Sequence, residues 1–177
     1  MIFTTSYKSE GMEELLTALV KTVGAKTAIE FGTQQGHSAI LLAKGGARVK
    51  TYDLFEEKYN AEPFKETHAN LLKALKNTEK YNIQVYQKDV NKVKPVKCDV
   101  LHIDICNHRD NVYPLLENWQ SKVKKMIILE GGVYNKWQKK YKFETYLPAL
   151  DVEIMSKWHF LTIKGENGYA ITILTRI

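Results

Sequence analysis

Five short apolar segments recur along the chain, each running into a carboxylate, with amphipathic stretches between them. Residues 25–31 carry Glu30, 48–54 carry Asp53, 81–87 are followed by Asp89, 99–105 carry Asp104, and 125–130 end on Glu130. Short apolar runs bounded by turn residues read as strands. The stretches between them place apolar residues three and four apart, which predicts helices. Met12, Leu15, Leu16, Leu19, Val20 and Val23 mark the first, and 36–44 is the second. Phe64, His68, Leu71, Leu72 and Leu75 mark a helix over about 61–78; Val112, Leu115, Leu116, Trp119 and Val123 mark another. A further helix is expected over about 135–147. Such alternation predicts an α/β fold, a doubly wound, mostly parallel sheet with right-handed crossovers. Residues 152–163 and 169–175 are β-rich and flank Gly165-Glu166-Asn167-Gly168, a hairpin signal. They complete seven strands, one of them antiparallel. With no repeat or linker, 1–177 reads as a single domain.

Composition narrows the class. Apolar residues make up 44% and charged residues 26%, a soluble globular balance. No apolar run approaches the ~18 residues of a membrane span, and the N-terminus lacks a basic region followed by an apolar one, so no secretory signal is read. Cys98 and Cys106 are too few for a disulfide framework. A cytoplasmic protein without a membrane partner is expected. The net charge of +6 could suit an anionic partner. The lysines are spread out, however, and read as a solvated surface; nucleic acid is not favoured.

Ligands of such sheets bind beyond the carboxyl ends of the strands, at the switch point between the first and fourth. The stretch AIEFGTQQGHSAILLA (28–43) lies there. A P-loop needs GxxxxGK[ST]; here Gly36 is followed by His37-Ser38 and the spacing is one short. A dinucleotide loop needs GxGxxG; here Thr33 and Gln34 follow Gly32. Glu30 would repel phosphate and attract an ammonium group. Gly32 would let backbone approach a ligand, and Gly36 would let the next helix start tight against it. Asp53, at the end of the next strand, either caps a helix or accepts hydrogen bonds from vicinal ribose hydroxyls. A ligand with a ribose, a cationic amino-acid end and no phosphate fits, and S-adenosylmethionine is such a molecule.

On these residues the chain resembles class I S-adenosylmethionine-dependent methyltransferases. Glu30-Phe-Gly-Thr-Gln-Gln-Gly-His-Ser38 is similar to their first motif, E/DxGxxxGxS, Tyr52-Asp-Leu54 to their second acidic motif, and Gln87-Lys-Asp-Val90 to their adenine-flanking segment. The resemblance implies cofactor contacts from Glu30, Gly32, Thr33, Gly36, Ser38, Asp53, Leu54, Asp89, Val90 and Asp104. Residues 101–108 (LHIDICNH) with 126–132 (MIILEGG) look like small O-methyltransferases of the "methyltransferase 24" and cephalosporin-hydroxylase-like type. In some of these, carboxylates ending strands four and five hold a divalent metal such as Mg2+ beside the acceptor hydroxyl. Asp104 and Glu130 match those positions, and Gly131 stands where a second acid often follows.

Alternatives stay open residue by residue. Asp89 either caps the turn before Asn91 or flanks adenine. His108 either faces solvent at a helix start or acts as general base, its ordinary pKa of ~6.5 suiting proton removal from a hydroxyl. Asp104 either is a structural carboxylate or, by its place after VLHI at the switch point, is the other candidate base. Glu130 either contacts metal or acceptor, or caps. His37 either lines the pocket or is an exposed first-turn residue, His102 and Trp119 read as packed, and Tyr134 and Trp137 either cover the acceptor or a helix edge. The function implied is S-adenosylmethionine-dependent O-methylation of a small molecule. One rival is an RNA ribose methyltransferase, for which Lys8, Asp104, Lys136 and Glu153 would have to form a tetrad. The other is a protein that binds the cofactor or a nucleoside without catalysis. The short chain leaves little room for a recognition insert, so a partner or second copy could complete the acceptor site. No DPPY, NPPY or Pro-Cys pattern is present, which argues against amino or cytosine-C5 methylation of nucleic acid.

Overall fold

The computed structural model describes residues 12–55, 70–105, 109–131, 157–164 and 170–176. Seven strands form one sheet in the order β3-β2-β1-β4-β5-β7-β6. The chain divides into two compact units, 1–94 and 95–177.

In the first unit, α1 (Met12–Thr22) is followed by β1 (Thr27–Phe31), α2 (His37–Lys44), β2 (Arg48–Asp53), α3 (Leu71–Thr78) and β3 (Ile83–Gln87). A 3-10 turn, Val90–Lys92, comes next. The three strands are parallel, with Phe31 opposite Tyr52 and Tyr52 opposite Tyr86. Met12, Leu16 and Val20 form the buried stripe of α1; Glu13 and Glu14 in its first turn and Lys21 in its last suit the helix dipole. α1 and α2 pack closely because Gly45 lacks a side chain, for a Cβ there would meet Val20 Cβ at 2.6 Å. Thr17 Oγ1 donates to the Leu41 carbonyl across the same contact at 3.2 Å.

α3 departs from its sequence pattern. Leu72 and Leu75, expected on the inner face, are 77% and 45% exposed, whereas Ala74 and Thr78 are buried. The loop beneath α3 admits only small side chains, and that requirement overrides leucine periodicity. Asn70 caps the helix, its side chain accepting from Lys73 N at 2.9 Å. The earlier part of this predicted helix lies outside the described residues, as does the helix expected over 135–147.

In the second unit, β4 (Cys98–Ile103) is buried along its whole length. It precedes α4 (Arg109–Trp119), β5 (Val123–Glu130), β6 (Trp158–Lys164) and β7 (Ala170–Arg176). β4 and β5 are parallel; β7 is antiparallel to both β5 and β6. β7 therefore runs against both of its neighbours, as the hairpin signal implied. Val112, Leu115, Leu116 and Trp119 bury the inner face of α4, and His102 is fully buried. The Arg176 guanidinium holds the outer strands, donating to the carbonyls of Gln120 (2.8 Å) and Val123 (3.1 Å) and lying 4.4 Å over the Trp158 ring. Cys98 is buried, which pushes its thiol up to about 12. No helix among the described residues is long and apolar enough to cross a membrane.

Candidate functional site

In the first unit the site is the loop between β1 and α2. Glu30 and Thr51 are neighbours in the β1–β2 register, both fully buried. The Thr51 hydroxyl donates to Glu30 Oε2 at 2.6 Å, and Thr33 Oγ1 lies 2.5 Å from Thr51 Oγ1. Since Thr51 has one proton to give, Thr33 is the donor of that second bond. A relay Thr33→Thr51→Glu30 thus runs from the loop into the sheet. A carboxylate so deeply buried needs such a partner.

Asp53 ends β2 and turns toward the same loop. Its Oδ2 accepts from the backbone amides of Thr33 (2.9 Å) and Gln34 (2.8 Å), and its Oδ1 from Phe55 N (3.0 Å). A carboxylate has about four acceptor positions; three are filled by backbone, and one on Oδ1 is left. Gln34 and Phe55 both adopt left-handed backbone, φ 51° and 53°. That conformation is uncommon for residues with side chains, and both positions donate to Asp53.

Gly36 has φ +85°, and a Cβ there would meet Thr78 Cγ2 at 2.6 Å. Its missing side chain makes room for α3. From α3, Asn77 Nδ2 donates to the Gln35 carbonyl (2.9 Å), and Asn70 N donates to the Gln34 carbonyl (3.2 Å). Ser38 is buried one residue into α2. His37 starts α2 with Nε2 2.6 Å from Glu13 Oε1, its side chain 12% exposed. Burial holds its pKa below the ordinary value, opposed by Glu13. It is thus neither exposed nor turned outward alone.

At the other strand ends of this unit, Leu54 is half-buried and its carbonyl accepts from Gln87 Nε2 at 3.1 Å. Asp89 caps the 3-10 turn, Oδ1 accepting from Asn91 N at 3.0 Å, and Lys92 Nζ lies 3.5 Å from Oδ2. Val90 packs inward. For Asp89 the capping alternative describes its side chain.

In the second unit, Asp104 follows β4 directly and Glu130 ends β5; both are half-buried. Ile103 pairs with Leu129, so each acid stands one residue beyond paired neighbours on adjacent parallel strands. Adjacent strands lie ~4.8 Å apart, which puts the two carboxylate positions side by side. The turn after Glu130 is pinned by Gly131 N on the Ala170 carbonyl (2.6 Å) and by Thr172 Oγ1 on the Gly131 carbonyl (3.0 Å). No group of three or more His, Cys, Asp or Glu side chains able to hold a metal occurs among the described residues. His108, Cys106, Lys8, Lys136, Glu153, Tyr134 and Trp137 lie outside them.

Sequence reasoning missed Thr51, Thr78, Asn70, Asn77 and the left-handed Gln34 and Phe55. Thr51 carried a signal, a hydroxyl on the buried alternation of β2 and opposite an acid. Thr78 carried none, because its partner is a glycine distant in sequence.

No protein-family model matches the chain, and no curated protein matches it in sequence. Solved structures do match. An O-methyltransferase from Bacillus cereus in complex with SAH is 20% identical, covers 94% of this chain and 81% of its own, and superposes with a TM-score of 0.63. The magnesium protoporphyrin IX methyltransferase of Synechocystis PCC 6803, with bound SAH, is 14% identical over 100% and 90%, with a TM-score of 0.67. The N-methyltransferase NodS of Bradyrhizobium japonicum, in complex with S-adenosyl-L-homocysteine, is 9% identical over 98% and 89%, with a TM-score of 0.71. The fold is therefore that of class I methyltransferases.

Proposed function

We propose that the chain is an S-adenosylmethionine-dependent methyltransferase that methylates a hydroxyl of a small molecule. The observation that carries the reading is the direction of the loop amides. Thr33 and Gln34, which would point at phosphate in a nucleotide loop, donate to Asp53 instead. Gly36 N donates to the Thr33 carbonyl at 2.7 Å. A phosphate would meet a carboxylate in place of those donors. The same carboxylate keeps one acceptor position for a sugar hydroxyl, and Glu30 sets a buried acid beneath the loop. Those acceptors suit a cationic, ribose-bearing ligand. The matching fold supports it, since several matched proteins hold S-adenosylmethionine or its demethylated product.

When bound, the cofactor supplies an activated sulfonium methyl group. The chain's own part is positioning and proton removal. The acceptor hydroxyl would have to be held in line with that methyl group, and this positioning is what the chain would supply. The hydroxyl proton passes to a nearby carboxylate, for which Asp104 is our candidate, with Glu130 beside it to orient the acceptor. These two would also be the ligands a divalent metal finds here, and no step requires one. O- and N-methyltransferases share this fold, so oxygen rests on the resemblance of 101–108 and 126–132 to small O-methyltransferases.

Calorimetric titration with S-adenosylhomocysteine tests binding, and transfer of labelled methyl to a panel of hydroxyl compounds tests chemistry. Saturable binding with transfer to one member is expected. No binding overturns the reading.

A further inference from the structure

Strands of doubly wound sheets are buried on both faces and read as near-continuous apolar runs. β2 and β3 do not. Val49 and Thr51 of β2 are fully buried, but Lys50 and Tyr52 are only half-buried; on β3, Gln84 and Tyr86 are exposed while Ile83 and Val85 are half-buried. Strand alternation places Lys50, Tyr52, Gln84 and Tyr86 on one face, and the register pairs Lys50 with Gln84 and Tyr52 with Tyr86. The connection explains the exposure. A parallel crossover ordinarily carries a helix that covers a face of the sheet, whereas the chain passes from β3 to β4 through the 3-10 turn Val90–Lys92 and no α-helix.

This face presents a braced aromatic surface. The Tyr52 and Tyr86 rings stack at 4.9 Å and 14°, and Phe31 tilts against Tyr52 at 6.0 Å. Tyr86 is 37% exposed, and its hydroxyl donates to Gln84 Oε1 at 3.1 Å. The ring is thus supported from behind and tethered at its tip. Lysines accompany it: half-buried Lys50 on the same face of β2, and exposed Lys88, Lys92 and Lys94 in the segment that follows β3. The one acid in 80–94 is Asp89, engaged with Asn91 and near Lys92. Rigid aromatics that offer a π-face to any base, with cations for the backbone, are what single-stranded nucleic acid uses. A duplex keeps its bases stacked internally and cannot use the ring.

We propose that the open face of β2 and β3 binds single-stranded nucleic acid, a base stacking on Tyr86 and phosphates lying against Lys50 and Lys88. The proposal rests on this face and not on the methyl-transfer reading; a positive result would put nucleic-acid hydroxyls first on the acceptor panel. The test is fluorescence anisotropy with labelled oligo(U) and oligo(dT) of about 12 nucleotides, and a duplex of equal length, over about 50–200 mM salt. Single strands should bind more tightly than duplex, and binding by either the RNA or the DNA strand supports the proposal. Tyr86→Leu should weaken binding roughly 5- to 150-fold with the salt slope unchanged, and Tyr86→Trp should restore it. Lys88→Gln should weaken binding and flatten the log–log salt slope by about 0.7. Absence of single-strand binding at low salt, equally tight duplex binding, or indifference to Tyr86→Leu overturns the proposal. Should Tyr86→Leu fail to fold, as read by its melting midpoint, Lys88→Gln decides: unchanged affinity and slope overturn it equally.

Discussion

The strand ends of the two units carry the same residue type and treat it differently. In the first, Glu30 is sealed against Thr51, and Asp53 has three of its acceptor positions filled by backbone amides. In the second, Asp104 and Glu130 stand half-buried on neighbouring strands. An acid that collects backbone amides, as Asp53 does, shapes a loop; the proposed function asks the acids of the second unit to serve the acceptor instead. Under the proposed function the first pair would shape the cofactor loop and the second would serve proton removal. Substitutions should separate the two, damaging stability and binding in one and rate in the other.

The largest effect is expected at Asp104. Asp104→Asn should lower methyl transfer by roughly 10²–10⁴-fold, measured by label transfer to the identified acceptor; a rate within a factor of two would remove Asp104 as base. Next is Asp53→Ala, which strands three backbone amides and frees two left-handed residues. It should cost on the order of 3 kcal/mol of stability in urea denaturation and weaken S-adenosylhomocysteine binding. Unchanged stability would mean that Asp53 does not hold the loop. Gly36→Ala follows at about 2 kcal/mol, combining backbone strain at φ +85° with the clash on Thr78. Adding Thr78→Ser, which deletes Cγ2, should recover the clash and leave the strain. A double variant no better than the single one would sink the packing argument. Thr51→Val leaves the Glu30 carboxylate without its hydroxyl donor and should cost about 1–2 kcal/mol, again read in urea.

The smallest effect is a slope. Burial holds the folded pKa of His37 below its unfolded value. The unfolded chain therefore takes up a proton near pH ~6.5 that the folded chain resists. Stability from this residue is present above that pH and is lost as pH falls below it. Urea midpoints of His37→Gln should accordingly decline less between pH ~7.5 and ~5.5 than those of the parent. Parallel declines would show that Glu13 compensates the burial.

Legibility followed the range of the interaction. Strand and helix order was readable because burial imposes its period locally, and 27–31, 48–53 and 98–103 fell where their apolar runs lay. The acids at strand ends were readable for the same reason. Their partners were not. Nothing in Gly36 announces that Thr78 fills its missing Cβ, or that α3 would turn Ala74 inward and leave Leu72 in water. Nor does the sequence of 32–36 tell whether its amides face a ligand or an acid in the next strand. Asp53 decides that, through bonds spanning two elements.

The direct test sets S-adenosylhomocysteine against ATP in parallel calorimetric titrations of the intact chain. The account predicts saturable heat from S-adenosylhomocysteine, lost or weakened in Asp53→Ala, and none from ATP. Binding of ATP with indifference to S-adenosylhomocysteine would show that the amides of Thr33 and Gln34 do receive phosphate, and would contradict it.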